Sequence, residues 1–292
     1  MERGEDNRVR SVTDDPANWR LRDRLVEQRF PMVMGILNAT PDSFHQVSRV
    51  GVDAALHAAE RMLEQGALIL DIGGMSTRPG SEEVSQSEEL ARVLPMITAI
   101  HERFPEALLS IDTYRSTVAR EAVEAGARMV NDIGAGLLDP DMLSTVAALG
   151  VPYVAMHMQG TPRTMQKAPE YKDVAAEVTL FLSQRSHAAH AAGIADVILD
   201  PGFGFGKNTQ HNFALLRGMD LILALGTPVL VGVSRKRMIN EVLGTTPADA
   251  LNGTTVVNTI ALLGGASILR VHDVREAAEA VKLVAALRAT CA

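Results

Sequence analysis

At 292 residues, 47% of them hydrophobic and 22% charged, the chain is long enough to bury one large core, and a single domain is the default at this size. A formal net charge of -7 excludes the basic face that nucleic-acid binding requires, so the expected partners are small molecules. The lone Cys291 leaves no internal disulfide to form and no apolar run approaches the length of a membrane span, so the chain reads as cytoplasmic, with no membrane partner.

Residues 1–29 mix Arg with Asp and Glu and contain no apolar h-region of a signal peptide; they are expected to be a mobile N-terminal extension that joins the fold near Trp19. From residue 30 to 292 one module repeats. Apolar, β-branched runs of strand length occur in order at MVMGILN, LILDIGG, LLSID, MVNDIG, YVAMHM, VILDPG, PVLVGVS and SILRVH. Between them lie segments of helical period, such as GVDAALHAAERMLEQGA, TVAREAVEAGA, ADALNGTTVVNTIALLGGA and VREAAEAVKLVAALRA, several with Gly where a C-cap needs it. Strands that are apolar throughout are buried on both faces, as parallel strands with crossover helices are. About eight such units predict an α/β fold of one domain, a (β/α)8 TIM barrel, in preference to an open doubly wound sheet.

The polar residues that end these runs are Asn38, Asp71, Asp112, Asn131, His157, Asp200, Ser234 and His272. Any one of them alone reads as an N-cap or turn residue. In a barrel the eight ends meet at the C-terminal rim, where the active sites of this fold are built. Asp112, Asn131 and Asp200 offer carboxylate and amide groups suited to the N–H and C=O edge of a heterocycle. Arg78, Lys236, Arg270 and His272 add cations, or groups that can become cations, suited to a phosphate. Acids for a ring and bases for an anion suggest a phosphorylated or pyrophosphorylated heterocycle.

Three stretches admit competing readings. DPGFGFGKN fails the P-loop pattern, because no Ser or Thr follows Lys207, and fails the dinucleotide pattern by its Gly spacing. Its glycines are expected to make a tight turn with Phe205 beside a flat ligand, the alternative being a purely structural loop. His157, in MHM, reads equally well as a satisfied core histidine. GILNATP lacks the His-x-His of a zinc hydrolase barrel.

The strings MGILNATPDSF, DIGGMSTRPGS, SIDTYRSTVAREAVEAGARMVNDI, ILDPGFGFGKNTQHNFALL, GVSRKRMI and GTTVVNTIALLGGASILRVHDV resemble the dihydropteroate synthase family of pterin-binding enzymes, from about Val33 to about Val284. The resemblance implies a (β/α)8 barrel, usually a homodimer, that condenses 6-hydroxymethyl-7,8-dihydropterin pyrophosphate with 4-aminobenzoate to give 7,8-dihydropteroate and pyrophosphate in folate synthesis. It also implies Mg2+ as cofactor and sulfonamides as inhibitors. Carried over by position, the pterin falls to Asp112, Asn131, Asp200 and Lys236, with Met156, Phe205 and Gly232 shaping the slot. The pyrophosphate falls to Asn38, Thr77, Arg78, Arg270 and His272, Asn38 being also the residue associated with the metal. The 4-aminobenzoate falls to Phe44, Pro79, Ser234 and Arg237. Lys236, Arg270, Asp42 and Phe44 are implied as catalytic, the last two on a loop with Thr40 and Pro41 that closes over the site.

The implied reaction is SN1-like: ionisation at the carbon carrying the pyrophosphate, then attack by the aromatic amine. One departure bears on it. The family commonly follows TPDSF with Ser-Asp-Gly-Gly, whereas this chain reads His45 and Gln46 and has neither glycine. Gln46 can hydrogen-bond but carries no charge to stabilise a pterin cation, so the resemblance implies intact pterin binding with slow condensation. The alternatives are a non-catalytic pterin-binding paralogue and a pterin-dependent methyltransferase, which would have no use for STRPG or for Arg270-x-His272.

Overall fold

The computed structural model describes residues 17–22, 24–28, 31–39, 49–75, 84–161, 165 and 169–290. An antiparallel hairpin, β1 (Ala17–Leu21) and β2 (Arg24–Gln28), comes first. There follow β3 (Met32–Asn38), α1 (Arg49–Glu64), β4 (Ile69–Gly73), α2 (Gln86–Arg103), β5 (Leu108–Asp112), α3 (Ser116–Ala125), β6 (Met129–Asp132), α4 (Met142–Leu149) and β7 (Tyr153–Met156). The second half contains α5 (Val174–Ala191), β8 (Val197–Asp200), α6 (Thr209–Arg217), α7 (Met219–Leu223), β9 (Leu230–Val231), α8 (Arg237–Leu243), α9 (Leu251–Leu263), β10 (Ile268–Val271) and α10 (Val274–Ala289).

Helices α2 and α5 start where side chains satisfy otherwise orphan N–H groups. Ser85 accepts from Glu88 N–H at the head of α2, and Asp173 accepts from Ala175 and Ala176 at the head of α5. The strands β3 to β10 are all parallel, in the order β8-β7-β6-β5-β4-β3-β10-β9. Leu199 of β8 donates to Pro228 O at 2.9 Å and bridges Val229, which closes the sheet against β9. The architecture is therefore the expected (β/α)8 barrel.

Alternation along each strand sets what lies inside. Met34, Ile69, Met129, Val154, Ile198, Leu230 and Ile268 form one buried apolar cluster within the barrel, while the outward residues pack under the helices in a second, larger core. Two residues further along the same inward face come Asp71 after Ile69, Asn131 after Met129, Asp200 after Ile198 and Arg270 after Ile268. A polar layer thus sits directly on an apolar one, at the C-terminal end.

The N-terminal end is closed by part of the segment expected to be a mobile extension. Trp19 and Leu21 are 2% and 4% exposed and belong to the inner apolar cluster. Arg20 N–H donates to Asp196 Oδ2 at 2.6 Å and Arg22 N–H to Gly150 O at 2.8 Å, both acceptors lying just before a barrel strand. The hairpin is fixed because the barrel's lower mouth is apolar, and an indole and a leucine spaced two apart on β1 cover it. Trp19→Ala should therefore cost about 3–5 kcal/mol of stability, as large-to-small core changes do, with ligand affinity at the far end little changed. Denaturant unfolding checks this, and a loss under about 1 kcal/mol would mean that the indole is not seated.

Candidate functional site

The polar layer is one connected unit. Asp71 is fully buried on β4, and its Oδ2 accepts from Asn131 Nδ2 at 2.9 Å and from Arg270 Nε at 2.6 Å. The same guanidinium donates from a terminal nitrogen to Asp112 Oδ2 at 2.6 Å. Asp71 Oδ1 has no hydrogen-bond partner among the described residues. Lys236, ahead of α8, reaches across to donate to Phe203 O, and its Nζ lies 4.8 Å from the centre of the Phe205 ring. Between the two cations Gly232 keeps space open: a Cβ there would stand 3.8 Å from Arg270 Cβ and 3.9 Å from Lys236 Nζ.

Burial governs the electrostatics of these groups. It pushes Asp112 up to about 7, against the pull of Arg270, and raises Asp200, against that of Lys236. Burial also brings Lys236 down to about 8, opposed by Asp200. For Arg270 burial disfavours the charge, but Asp71 and Asp112 outweigh it and the guanidinium stays firmly protonated. The layer thus holds three carboxylates against two cations in a dry setting, a surplus of acceptors facing the mouth.

The loop after β8 completes the floor. Asp200 Oδ1 accepts from Gly202 N–H at 2.7 Å. Gly202 has φ +67°, and a Cβ on it would lie 1.8 Å from His157 O, so no other residue fits. The loop is therefore pressed against the end of β7, where Met156 is buried and stands in register with Asp200. His157 is buried, and burial together with Lys207 holds its pKa down to about 3, so the imidazole is neutral. After the next two strands round the barrel, β9 and β10, Ser234 Oγ lies 3.1 Å from His272 Nδ1 and accepts from His272 N–H at 3.2 Å.

The profile of the family described as "Pterin binding enzyme" matches residues 34–272. The dihydropteroate synthase of Escherichia coli (strain K12) is 47% identical over 260 residues, which cover 88% of this chain and 91% of that one. This chain belongs to the pterin-binding enzyme family. The dihydropteroate synthase of Haemophilus influenzae (strain ATCC 51907 / DSM 11121 / KW20 / Rd) is 44% identical over 264 residues, covering 89% of this chain and 95% of that one. Among solved structures, Yersinia pestis dihydropteroate synthase with a sulfonamide drug complex superposes with a TM-score of 0.86 at 43% identity, covering 94% of this chain and 100% of that one. Xanthomonas albilineans dihydropteroate synthase with 4-aminobenzoic acid gives 0.87 at 43% identity, covering 94% and 99%.

Within this pterin-binding enzyme, Asp112, Asn131, Asp200, Phe205, Gly232, Lys236 and Arg270 surround one floor, with Met156 beneath it and Ser234 and His272 at its side. Asn38 ends β3, half-buried, in register with Gly73. Arg237 is exposed and ion-paired with Glu241 at 2.5 Å. Asp42, Phe44, Thr77, Arg78 and Pro79, together with Thr40, Pro41, His45 and Gln46, lie outside the described residues.

Arg270, expected on the anion side, and Asp112, expected on the ring side, are hydrogen-bonded to each other, because the inward faces of β5 and β10 meet across the barrel. Asp71, which the sequence offers only as a strand end, is the centre of the layer; its place two residues after the inward Ile69 is the signal. Arg235 carried no signal at all. It adopts φ +56° and forks onto Asp273 at 2.9 and 2.7 Å, bending the chain between Ser234 and Lys236.

The pairing makes a direct prediction. Arg270→Ala leaves the Asp71 carboxylate buried without a cation, which typically costs about 3–5 kcal/mol. Adding Asp71→Asn to the same chain should recover a substantial part of that loss. Chemical unfolding of the double-mutant cycle measures the coupling, and strictly additive losses would contradict it.

Proposed function

We propose that this chain is a dihydropteroate synthase, joining 6-hydroxymethyl-7,8-dihydropterin pyrophosphate to 4-aminobenzoate with release of pyrophosphate. The observation that carries the reading is the floor itself: buried Asn131 and Asp200 and partly buried Asp112, beside Lys236 and Arg270, form an acceptor-rich slot for an amino-heterocycle with cations next to it. The named relatives support it, as does the likeness to Xanthomonas albilineans dihydropteroate synthase in complex with 7,8-dihydropteroate, with a TM-score of 0.83 at 42% identity.

In this reading Asp112 and Asp200 accept N–H groups of the pterin, Asn131 meets its polar edge, and the ring lies against Phe205 and Met156 with Lys236 alongside. His272, Arg270 and Asn38, with Thr77 and Arg78, take the pyrophosphate. Ser234 and the head of α8 receive the aminobenzoate carboxylate, with Phe44, Pro79 and Arg237. The bond between the pterin methylene carbon and the pyrophosphate oxygen breaks with its electron pair leaving on oxygen. The amine nitrogen then bonds that carbon and gives up a proton. Fixed carboxylates near the ring and cations near the leaving group stabilise both charges of such an ionised state without reorganising.

Mg2+ fits this site through Asn38. An amide oxygen is a hard ligand, and an ion that keeps several waters and takes substrate phosphate oxygens needs only one or two protein ligands. Among the described residues no group of three His, Cys, Asp or Glu is placed to hold a metal. When bound, Mg2+ would neutralise charge on the leaving group as a Lewis acid.

The homodimer in this reading is supported by an apolar strip. Val256, Ile260 and Leu263 on α9, at i, i+4 and i+7, are exposed beside exposed Leu283 and Leu287 on the adjacent α10. Sedimentation should give about twice the 31.3 kDa chain mass, and Ile260→Glu should shift it to that of the monomer. A cytoplasmic location belongs to the same reading; among the described residues no helix is long and apolar enough to cross a membrane.

The decisive assay is pyrophosphate release. It should require pterin pyrophosphate, 4-aminobenzoate and Mg2+ together; binding of the pterin with no release would instead fit a non-catalytic paralogue. The pH dependence is a second check. Free Asp112 is mostly protonated below its raised pKa of about 7 and must ionise to accept from the ring, so pterin binding at pH 6 should release a proton and weaken as pH falls further. Calorimetry in buffers of different ionisation enthalpy counts that proton, and Asp112→Asn should abolish both the release and most of the affinity.

A further inference from the structure

We propose that Lys207 is a positioning residue for the pterin floor: its ammonium group, donating all three N–H bonds, fixes the shape of the loop between β8 and α6. This rests on the dihydropteroate synthase reading and adds to it a residue that never touches substrate. Lys207 is 3% exposed, and its Nζ lies 3.0 Å from Gly202 O, 3.1 Å from Phe205 O and 2.8 Å from His157 Nδ1. An ammonium has three donors and no acceptor. Three acceptors exhaust it, which separates Lys207 from Lys236, whose ammonium faces the Phe205 ring in the slot.

Each acceptor is tied to a part of the floor. Gly202, whose carbonyl Lys207 holds, donates its own N–H to the Asp200 carboxylate at 2.7 Å. Phe205, held by its carbonyl, presents its ring to Lys236. His157 donates its backbone N–H to Asp200 O at 2.9 Å, and its ring packs edge-on against Phe181 at 4.9 Å between centroids. Gly202, Gly204 and Gly206 alternate through positive φ, a backbone with little preference of its own, and that winding turns the carbonyls of residues 202 and 205 toward one point. Tyr171 OH donates to Gly206 O at 2.8 Å, holding the same turn from outside. Burial disfavours the charge on Lys207; the Asp200 carboxylate opposes that, and the three acceptors take the place of hydration water.

Without the ammonium, two buried carbonyls lose their donor and the glycine-rich turn has no reason to keep the Asp200 carboxylate and the Phe205 ring in register. The defect would fall on the pterin side alone. Steady-state kinetics on wild type, Lys207→Met and Lys207→Gln, varying each substrate, tests this. KM for pterin pyrophosphate should rise about tenfold or more in Lys207→Met, the scale of a lost charge-assisted hydrogen bond. The rise should be smaller in Lys207→Gln, which keeps two donors, and KM for 4-aminobenzoate should change less than about twofold in both. A wild type that turns over while both folded variants keep its pterin KM overturns the proposal; a wild type that does not turn over refutes the activity reading instead. Nitrogen-15 NMR of His157 in the wild-type protein decides without variants or activity. The clamp requires Nδ1 to be an unprotonated acceptor with the proton on Nε2, and a proton on Nδ1 overturns it.

Discussion

Arg270 could not leave the barrel without stranding Asp71, and most of the candidate site follows from that constraint. Taking a carboxylate out of water costs several kcal/mol, which only a close cation and a full set of hydrogen bonds can offset. Asp71 receives the cation from Arg270 and hydrogen bonds on Oδ2 from Arg270 and Asn131, and Arg270 in turn holds Asp112. Two carboxylates and an amide that would otherwise compete for solvent are thereby held at fixed positions on β4, β5 and β6. Preorganisation of this kind is what a reaction passing through separated charges requires, since groups already in place need not move as the charge develops.

The apolar layer beneath gives the polar one its character. Met34, Ile69, Met129, Val154, Ile198, Leu230 and Ile268 exclude water from below, so the acids above are desolvated rather than merely shielded. That is why burial, and not any one neighbour, is the leading influence on Asp112, Asp200 and Lys236. With Asp112 near 7 and Lys236 near 8, both groups titrate close to neutral pH, and a ligand's own donors and acceptors can shift their charge.

What could be read from the sequence was whatever depends on position along a strand. MVMGILN became β3 at Met32–Asn38 and VREAAEAVKLVAALRA became α10 residue for residue, because local period and length fix such elements. PVLVGVS shrank to Leu230–Val231, since the chain leaves the ladder at Gly232 to reach the bend at Arg235. What escaped was pairing across the barrel. Arg270 lies 199 residues from Asp71 and 158 from Asp112, and nothing local to any of the three announces the fork. The same holds for Lys207 and His157, 50 residues apart.

Function and stability are drawn from opposite ends of this barrel. Ionising Asp112 in the folded chain costs free energy that the unfolded chain does not spend, because its pKa stands at about 7 against 3.8 for the free side chain. The folded state therefore binds the extra proton between those values, and this residue's contribution to stability declines as pH rises from about 4 to 7, the reverse of an ordinary salt-bridged aspartate. Asp200, raised by burial as well, adds a cost of the same sign. At the N-terminal end Trp19 and Leu21 seal an apolar mouth, and the N–H groups of Arg20 and Arg22 donate to Asp196 and Gly150. A barrel that closes one end with hydrophobic packing and backbone hydrogen bonds can leave the other end charged and under-satisfied at Asp71 Oδ1.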